Sequence, residues 1–220
     1  MKLSDETLAV LKSFSGINQS ILFKEGNVIK TISLQKTLMA TATVPDEFPQ
    51  EVGIYNLPRF LSAIALYESP ELEFGPESVL ITEGKSNTRY FYANASMIVT
   101  PPDKEIKLPS VDVSFDLSAD NFSKVMKAVS VLQSPEVAFV GEGGTCYFRA
   151  IDSSNPTSDS FGVELGETED SFTLIMKPEN MQLMPIDYKV ELSSKGISKF
   201  AGENVTYHIA IESKSTYEKG

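Results

Sequence analysis

The chain has 220 residues, of which 41% are hydrophobic and 22% charged, and its formal net charge at pH 7 is −11. That balance belongs to an ordinary globular chain and argues against a nucleic-acid binder built on overall positive charge. Cys146 is the one cysteine, which precludes an intramolecular disulfide and suits a reducing cytosol. No apolar run approaches the roughly 20 residues of a membrane helix, and Asp5 and Glu6 interrupt the N-terminus before a signal-peptide core can develop.

In chain order, Met1, Lys2 and Leu3 read as the stub of a strand. Ser4, Asp5 and Glu6 then open an amphipathic helix that carries Leu8, Val10, Leu11 and Phe14 with Lys12. Short strands are expected over 19–24, 28–33 and 37–44, with turns at 25–27 and 34–36 and a loop bracketed by Pro45 and Pro49. A strand over 51–55 leads to Asn56, which caps a second helix with Pro58 in its first turn and Arg59 on its outer side. Strands over 71–74, 79–83 and 88–93 follow. Residues 94–110, with Pro101, Pro102 and Pro109, read as an extended connector, because proline lacks the donor a central strand needs.

From residue 111 the pattern restarts. Ser118 can cap a helix whose apolar face is Phe122, Val125, Met126 and Val129, with Asp120 in its first turn. Its other face carries Asn121, Lys124 and Lys127, and no acidic partner is expected one turn from the lysines. Strands are expected over 136–141, 145–151, 160–165 and 171–176, with a hairpin at Gly143 and Gly144. A short helix over 179–184 stopped by Pro185 precedes strands over 188–192, 197–201 and 205–211. The expected architecture is α+β: two tandem domains, 1–93 and 111–220, joined by the connector 94–110, each made of two strand–helix–three-strand units.

A search for chemistry finds no catalytic constellation. His208 alternates with Tyr207 and Ile209 inside a terminal strand, where a structural or surface role is the simpler reading. Cys146 reads as a small buried hydrophobe. The stretch 141–145 lacks the lysine of a phosphate loop and joins two strands. The acids Glu164, Glu167, Glu169 and Asp170 lack calcium-loop spacing, and no His/Cys metal spacing exists. No cofactor, metal or catalytic residue is therefore expected. What remains is a set of basic residues on helices, Lys12, Arg59, Lys124 and Lys127, while acids gather in turns and loops. Each alone could simply aid solubility. Together they can form a local lining that attracts phosphates, because charge elsewhere is screened beyond about 8 Å at physiological salt.

The order of these elements, with Met1–Lys2–Leu3–Ser4 at the start and 180–185, 187–189, 194–196 and 199–200 near the end, resembles the DNA sliding clamps. Within them it is most similar to the polymerase accessory clamps of T-even-type bacteriophages. That resemblance implies a homotrimeric ring whose helices line a hole for duplex DNA, with DNA-facing Lys12, Arg59, Lys124 and Lys127. It implies DNA polymerase and an ATP-driven clamp loader as partners, coupling to late transcription machinery, no membrane, and a phage-encoded protein of the host bacterial cytoplasm. Edge strands would join the subunits: Arg89, Tyr90, Phe91 and Tyr92 on one, and Phe161, Val163 and Leu165 on the other. The alternative is that these side chains pack inside their own domain. A partner tail would sit in an apolar pocket under the connector, drawn from Ile32, Leu34, Met97, Ile98, Val99 and Ala210, most of which could equally be core. The rival reading from a different class is a non-enzymatic viral structural or assembly protein built of tandem β-rich domains.

Overall fold

Two units, Met1–Lys104 and Glu105–Gly220, divide the chain in the computed structural model, which describes residues 1–220. The expected connector is thus shared between them, and its first part holds a single 3-10 turn, Ala95–Met97.

In unit 1, helix α1 (Asp5–Ile17) begins where Ser4 Oγ accepts from the Thr7 amide, and it buries Val10, Leu11, Phe14 and Ile17. Strand β1 (Ile21–Phe23) pairs antiparallel with β4 (Val52–Ile54). Strands β2 (Gly26–Ile32) and β3 (Leu38–Phe48) form a hairpin. Its turn holds Lys36 at φ 60, and the Ser33 hydroxyl accepts from the amides of Thr37 and Leu38. Strand β3 runs through Pro45, where a loop was expected. The ladder passes from Val28↔Thr43 directly to Gly26↔Phe48, so the proline sits in an irregularity where no amide donor is needed.

Helix α2 (Leu57–Ile64) starts at Asn56, whose side chain accepts from the Arg59 amide, and it packs on α1. Strands β5 (Glu71–Phe74), β6 (Ser78–Glu83) and β7 (Ser86–Phe91) make a three-stranded meander. The expected strand over 1–3 shrinks to Met1 alone, which exchanges two hydrogen bonds with Leu72 at 2.6 and 2.7 Å. The core includes Phe23 stacked on Phe48 at 4.3 Å and Phe60 edge-on to Tyr90 at 5.1 Å.

Unit 2 opens with β8 (Val113–Leu117) and helix α3 (Ala119–Leu132), where Ser118 Oγ accepts from the Asn121 amide. Next come β9 (Glu136–Glu142), β10 (Thr145–Ile151), β11 (Phe161–Glu167) and β12 (Ser171–Met176). Then follow β13 (Tyr188–Ser193), β14 (Ile197–Ala201), β15 (Val205–Ala210) and β16 (Thr216–Glu218). The order β11-β10-β9-β12-β16 makes one sheet, and β15, β14, β13 and β8 pair in that sequence in another. Gly143 and Gly144 take φ 59 and 85 between β9 and β10, the two positive angles a type I′ hairpin requires. Helix α3 lies on β10 and β11 over a ring stack: Phe139 and Phe148 are 4.5 Å apart, with Phe115 and Phe200 against Phe139.

The helix expected over 179–184 is one 3-10 turn, Pro178–Asn180. Proline at both 178 and 185 leaves little room for α-type bonding, and Met184 is held by Tyr207 Oη and Tyr188 Oη instead. Unit 2 therefore has one α-helix where unit 1 has two. Strand β16 was not expected; it borrows order from β12 through three residue pairs.

Candidate functional site

The basic residues on the helices come first. Lys12 on α1, Arg59 on α2 and Lys124 and Lys127 on α3 are all exposed. Lys12, Arg59 and Lys127 form no ion pair, whereas Lys124 Nζ lies 2.6 Å from Asp120 Oδ2. This corrects the expectation that the α3 lysines lack an acidic neighbour. Asp120 is one helical turn back, at the i,i+4 spacing that brings side chains together. Both partners of this pair are exposed, so Asp120 reduces the attraction of Lys124 for a phosphate without cancelling its charge.

Between α1 and α2 runs a groove of about 660 Å³ with Leu8 and Leu61 in its wall and Lys2 and Lys12 among its lining. Lys2 is not among the basic residues expected to face DNA. Its Nζ donates to Ser69 Oγ at 2.9 Å, a contact across 67 residues that no local pattern announces. The start of α1 is held the same way. Asp46 on β3 accepts from the Ser4 amide at 2.8 Å, Ser4 Oγ at 2.7 Å and Thr7 Oγ1 at 2.5 Å. Partial burial works against its charge, yet these bonds outweigh it and hold the carboxyl below the usual carboxylate range.

The second feature is a pair of sheet edges. Strand β7 is at one end of the sheet β5-β6-β7, and β11 is at one end of the sheet β11-β10-β9-β12-β16. On β7, Tyr90 turns inward against Phe60 and its hydroxyl donates to the Asn56 carbonyl at 3.1 Å, so it also packs within its own unit. Arg89 is exposed and forms no ion pair, Phe91 is 65% exposed, and Tyr92, just past the strand, is half-buried. On β11, Phe161 is exposed while Val163 and Leu165 are half-buried.

The residues expected for a partner pocket divide. Ile32 and Ile98 are buried in unit 1, the latter with its Cδ1 against Gly53 of β4. Leu34 in the β2–β3 turn, Met97 and Val99 are exposed apolar side chains, and Ala210 is half-buried in unit 2.

Two singled-out residues have simple places. Cys146 is buried in β10, and burial pushes its thiol up to about 11. His208 is buried in β15 across from Lys199; burial and then Lys199 pull its imidazole below the ordinary value, with Glu105 acting the other way. At the start of β9, Glu136 has a 3% exposed side chain paired with Lys214 and, at 3.8 Å, Lys177. Its carboxyl is held low against the cost of burial by Lys214 and Ser153. No helix is long and apolar enough to cross a membrane.

Comparisons with known proteins cover both units. Residues 4–100 match the family model described as DNA polymerase processivity factor, and residues 114–213 match that of the gp45 sliding clamp, C terminal. The sliding clamp of Vibrio phage KVP40 is 32% identical over 219 residues, covering 96% of this chain and 99% of that protein. The sliding clamp of Enterobacteria phage T4 is 30% identical over 230 residues, covering 99% and 100%. Among solved structures, the proliferating cellular nuclear antigen of Entamoeba histolytica superposes with a TM-score of 0.71 at 14% identity, over 96% of this chain and 97% of that one. The A. fulgidus PCNA bound by the C-terminal region of FEN-1 gives 0.70 at 16%, over 98% of each. The structural likeness speaks to the fold alone, and the fold is that of the clamps.

Proposed function

Because the chain belongs to the sliding-clamp family of DNA polymerase processivity factors, we propose that it works as a homotrimeric ring around duplex DNA and performs no chemistry of its own. The observation that supports the ring is that β7 in unit 1 and β11 in unit 2 each end a sheet. A strand edge with unpaired amides and carbonyls is a template for another chain. Joining β7 of one subunit to β11 of the next is a heterologous contact, and repeated around an axis it closes into a ring. Arg89, Tyr90, Phe91 and Tyr92 then meet Phe161, Val163 and Leu165.

The ring holds DNA by topology, so it needs neither sequence readout nor a tight phosphate grip. Few phosphate contacts mean few released counterions and weak, salt-sensitive attraction, which favours sliding. Lys12, Arg59, Lys127 and, less strongly, the paired Lys124 supply that attraction, while the acidic remainder keeps DNA away from other faces. The partners are DNA polymerase and an ATP-driven clamp loader, with transcription machinery as a further client in the host cytoplasm. Polymerase is tethered through an apolar tail; the exposed Leu34, Met97 and Val99 of unit 1 are of the right kind for such a contact. A purely structural virion protein would have no use for basic side chains on three helices, and the family does not support that reading.

Light scattering across a dilution series tests the ring. A mass of about three times 24.1 kDa is expected at high concentration, with Phe161→Asp plus Val163→Asp giving monomers. A wild-type chain that stays monomeric at every concentration removes the ring, and a double variant that stays trimeric removes the β11 interface.

A further inference from the structure

The two edges carry enough pattern to specify how they meet. On β7, Tyr90 stands opposite Val79 of β6, which is fully buried, so Thr88 and Tyr90 face inward and Arg89 and Phe91 face outward. On β11, Val163 stands opposite the fully buried Phe148, so it faces inward, while Gly162 and Glu164 lie opposite the partly exposed Arg149 and Tyr147 on the outer face. Arg89 and Glu164 are both exposed, and neither forms an ion pair within its own chain. The Arg149 side chain lies across Gly162 on the outer face, its Cγ 2.7 Å from where a Cβ would be, so it already covers the glycine.

We infer that β7 of one subunit pairs antiparallel with β11 of the next in a single register, with Tyr90 opposite Val163, Arg89 opposite Glu164 and Phe91 at the position facing Gly162 and the Arg149 side chain that covers it. The inference rests on the edge-to-edge ring proposed above and adds its register and its specificity. Side-chain alternation has period two, so only registers two residues apart keep Tyr90 and Val163 on the inner face together. Sliding one way sets Arg89 against Gly162 and loses the charge pair. Sliding the other way sets Phe91 against Glu164 and leaves Arg89 against Gly166. The chosen register alone satisfies the Arg89–Glu164 charge pair together with the inner Tyr90–Val163 pair. Opposite charges directly across an antiparallel pair stabilise it, and like charges there oppose it. The bulge at Cys146/Tyr147 lies just beyond Glu164, so the ladder is limited to a few residues, consistent with a ring that can be opened.

Charge reversal reads the register. Arg89→Glu and Glu164→Arg should each weaken trimer formation about 5- to 30-fold by light scattering or sedimentation, and the two together in one chain should recover most of that loss. A second readout does not depend on charge: Tyr90→Cys with Val163→Cys should oxidise to covalent oligomers faster than Tyr90→Cys with Phe161→Cys, since directly opposed positions have disulfide spacing. If Phe161→Asp plus Val163→Asp gives monomers but the combined charge reversal rescues nothing and the cysteine order is inverted, the ring stands and this register is overturned. If that apolar double variant remains trimeric, the β11 interface itself fails and the register falls with it.

Discussion

Removing one carboxylate, Asp46→Ala, should cost unit 1 about 2–4 kcal/mol at pH 7. Asp46 receives three hydrogen bonds from the first turn of α1, two from Ser4 and one from Thr7. Hydrogen bonds to a charged group contribute about 1.5–3 kcal/mol each, but bonds sharing one acceptor are not additive. Asp46 and Ser4 are only half-buried, so water replaces part of the loss, whereas Thr7 is fully buried and its hydroxyl keeps only Ser4. Urea unfolding at fixed protomer concentration should show a midpoint lowered by about 1–2 M for a domain of this size. The folded carboxyl sits below its ordinary value. Its contribution is therefore complete above the unfolded pKa of about 3.9 and is lost as pH falls through the lower folded value. The gap between wild type and variant should accordingly be full at pH 6–7 and shrink below about pH 4. A gap under about 0.5 kcal/mol at pH 7, or one that stays undiminished at pH 3, would refute the reasoning.

Three further outcomes are expected. With its thiol raised to about 11 by burial, Cys146 should react with iodoacetamide at pH 8 at least roughly a hundred-fold more slowly in the folded protein than in urea; equal rates would mean that β10 is not buried. Phe148→Ala should lose about 3–5 kcal/mol, because it deletes a fully buried ring stacked on Phe139 and flanked by Phe122, and a calorimetric shift confined to noise would contradict the ring stack. Asp120→Ala should strengthen the salt-sensitive attraction of the loaded clamp to DNA by freeing Lys124, while Lys127→Glu weakens it. If fluorescence-detected retention on circular DNA is unchanged by both, α3 does not face DNA.

The local grammar of the chain was legible from residues alone. Ser4, Asn56 and Ser118 sit three residues before the amides they accept from, and short polar side chains at helix starts act through nearest neighbours. Gly143 and Gly144 demanded a tight hairpin because two consecutive positive φ angles exclude most other residues. The alternating strands were readable too, and the order of elements pointed to the clamp fold. The Lys124–Asp120 pair was equally local and could have been found from its i,i+4 spacing.

Long-range packing decided the rest. Pro45 looked like a chain breaker, but a ladder irregularity opposite it removed the need for its missing donor. The segment between Pro178 and Pro185 has helix-forming residues, yet hydroxyls of Tyr188 and Tyr207 claim the backbone of Met184. Strand β16 has too little apolar pattern to be seen by itself and exists because β12 offers it an edge. Asp46, Lys2 and the edge positions of β7 and β11 share that character. Side-chain chemistry and period are written along the chain, but which groups end up opposite one another depends on partners 40 to 80 residues away, and only the folded backbone brings those together.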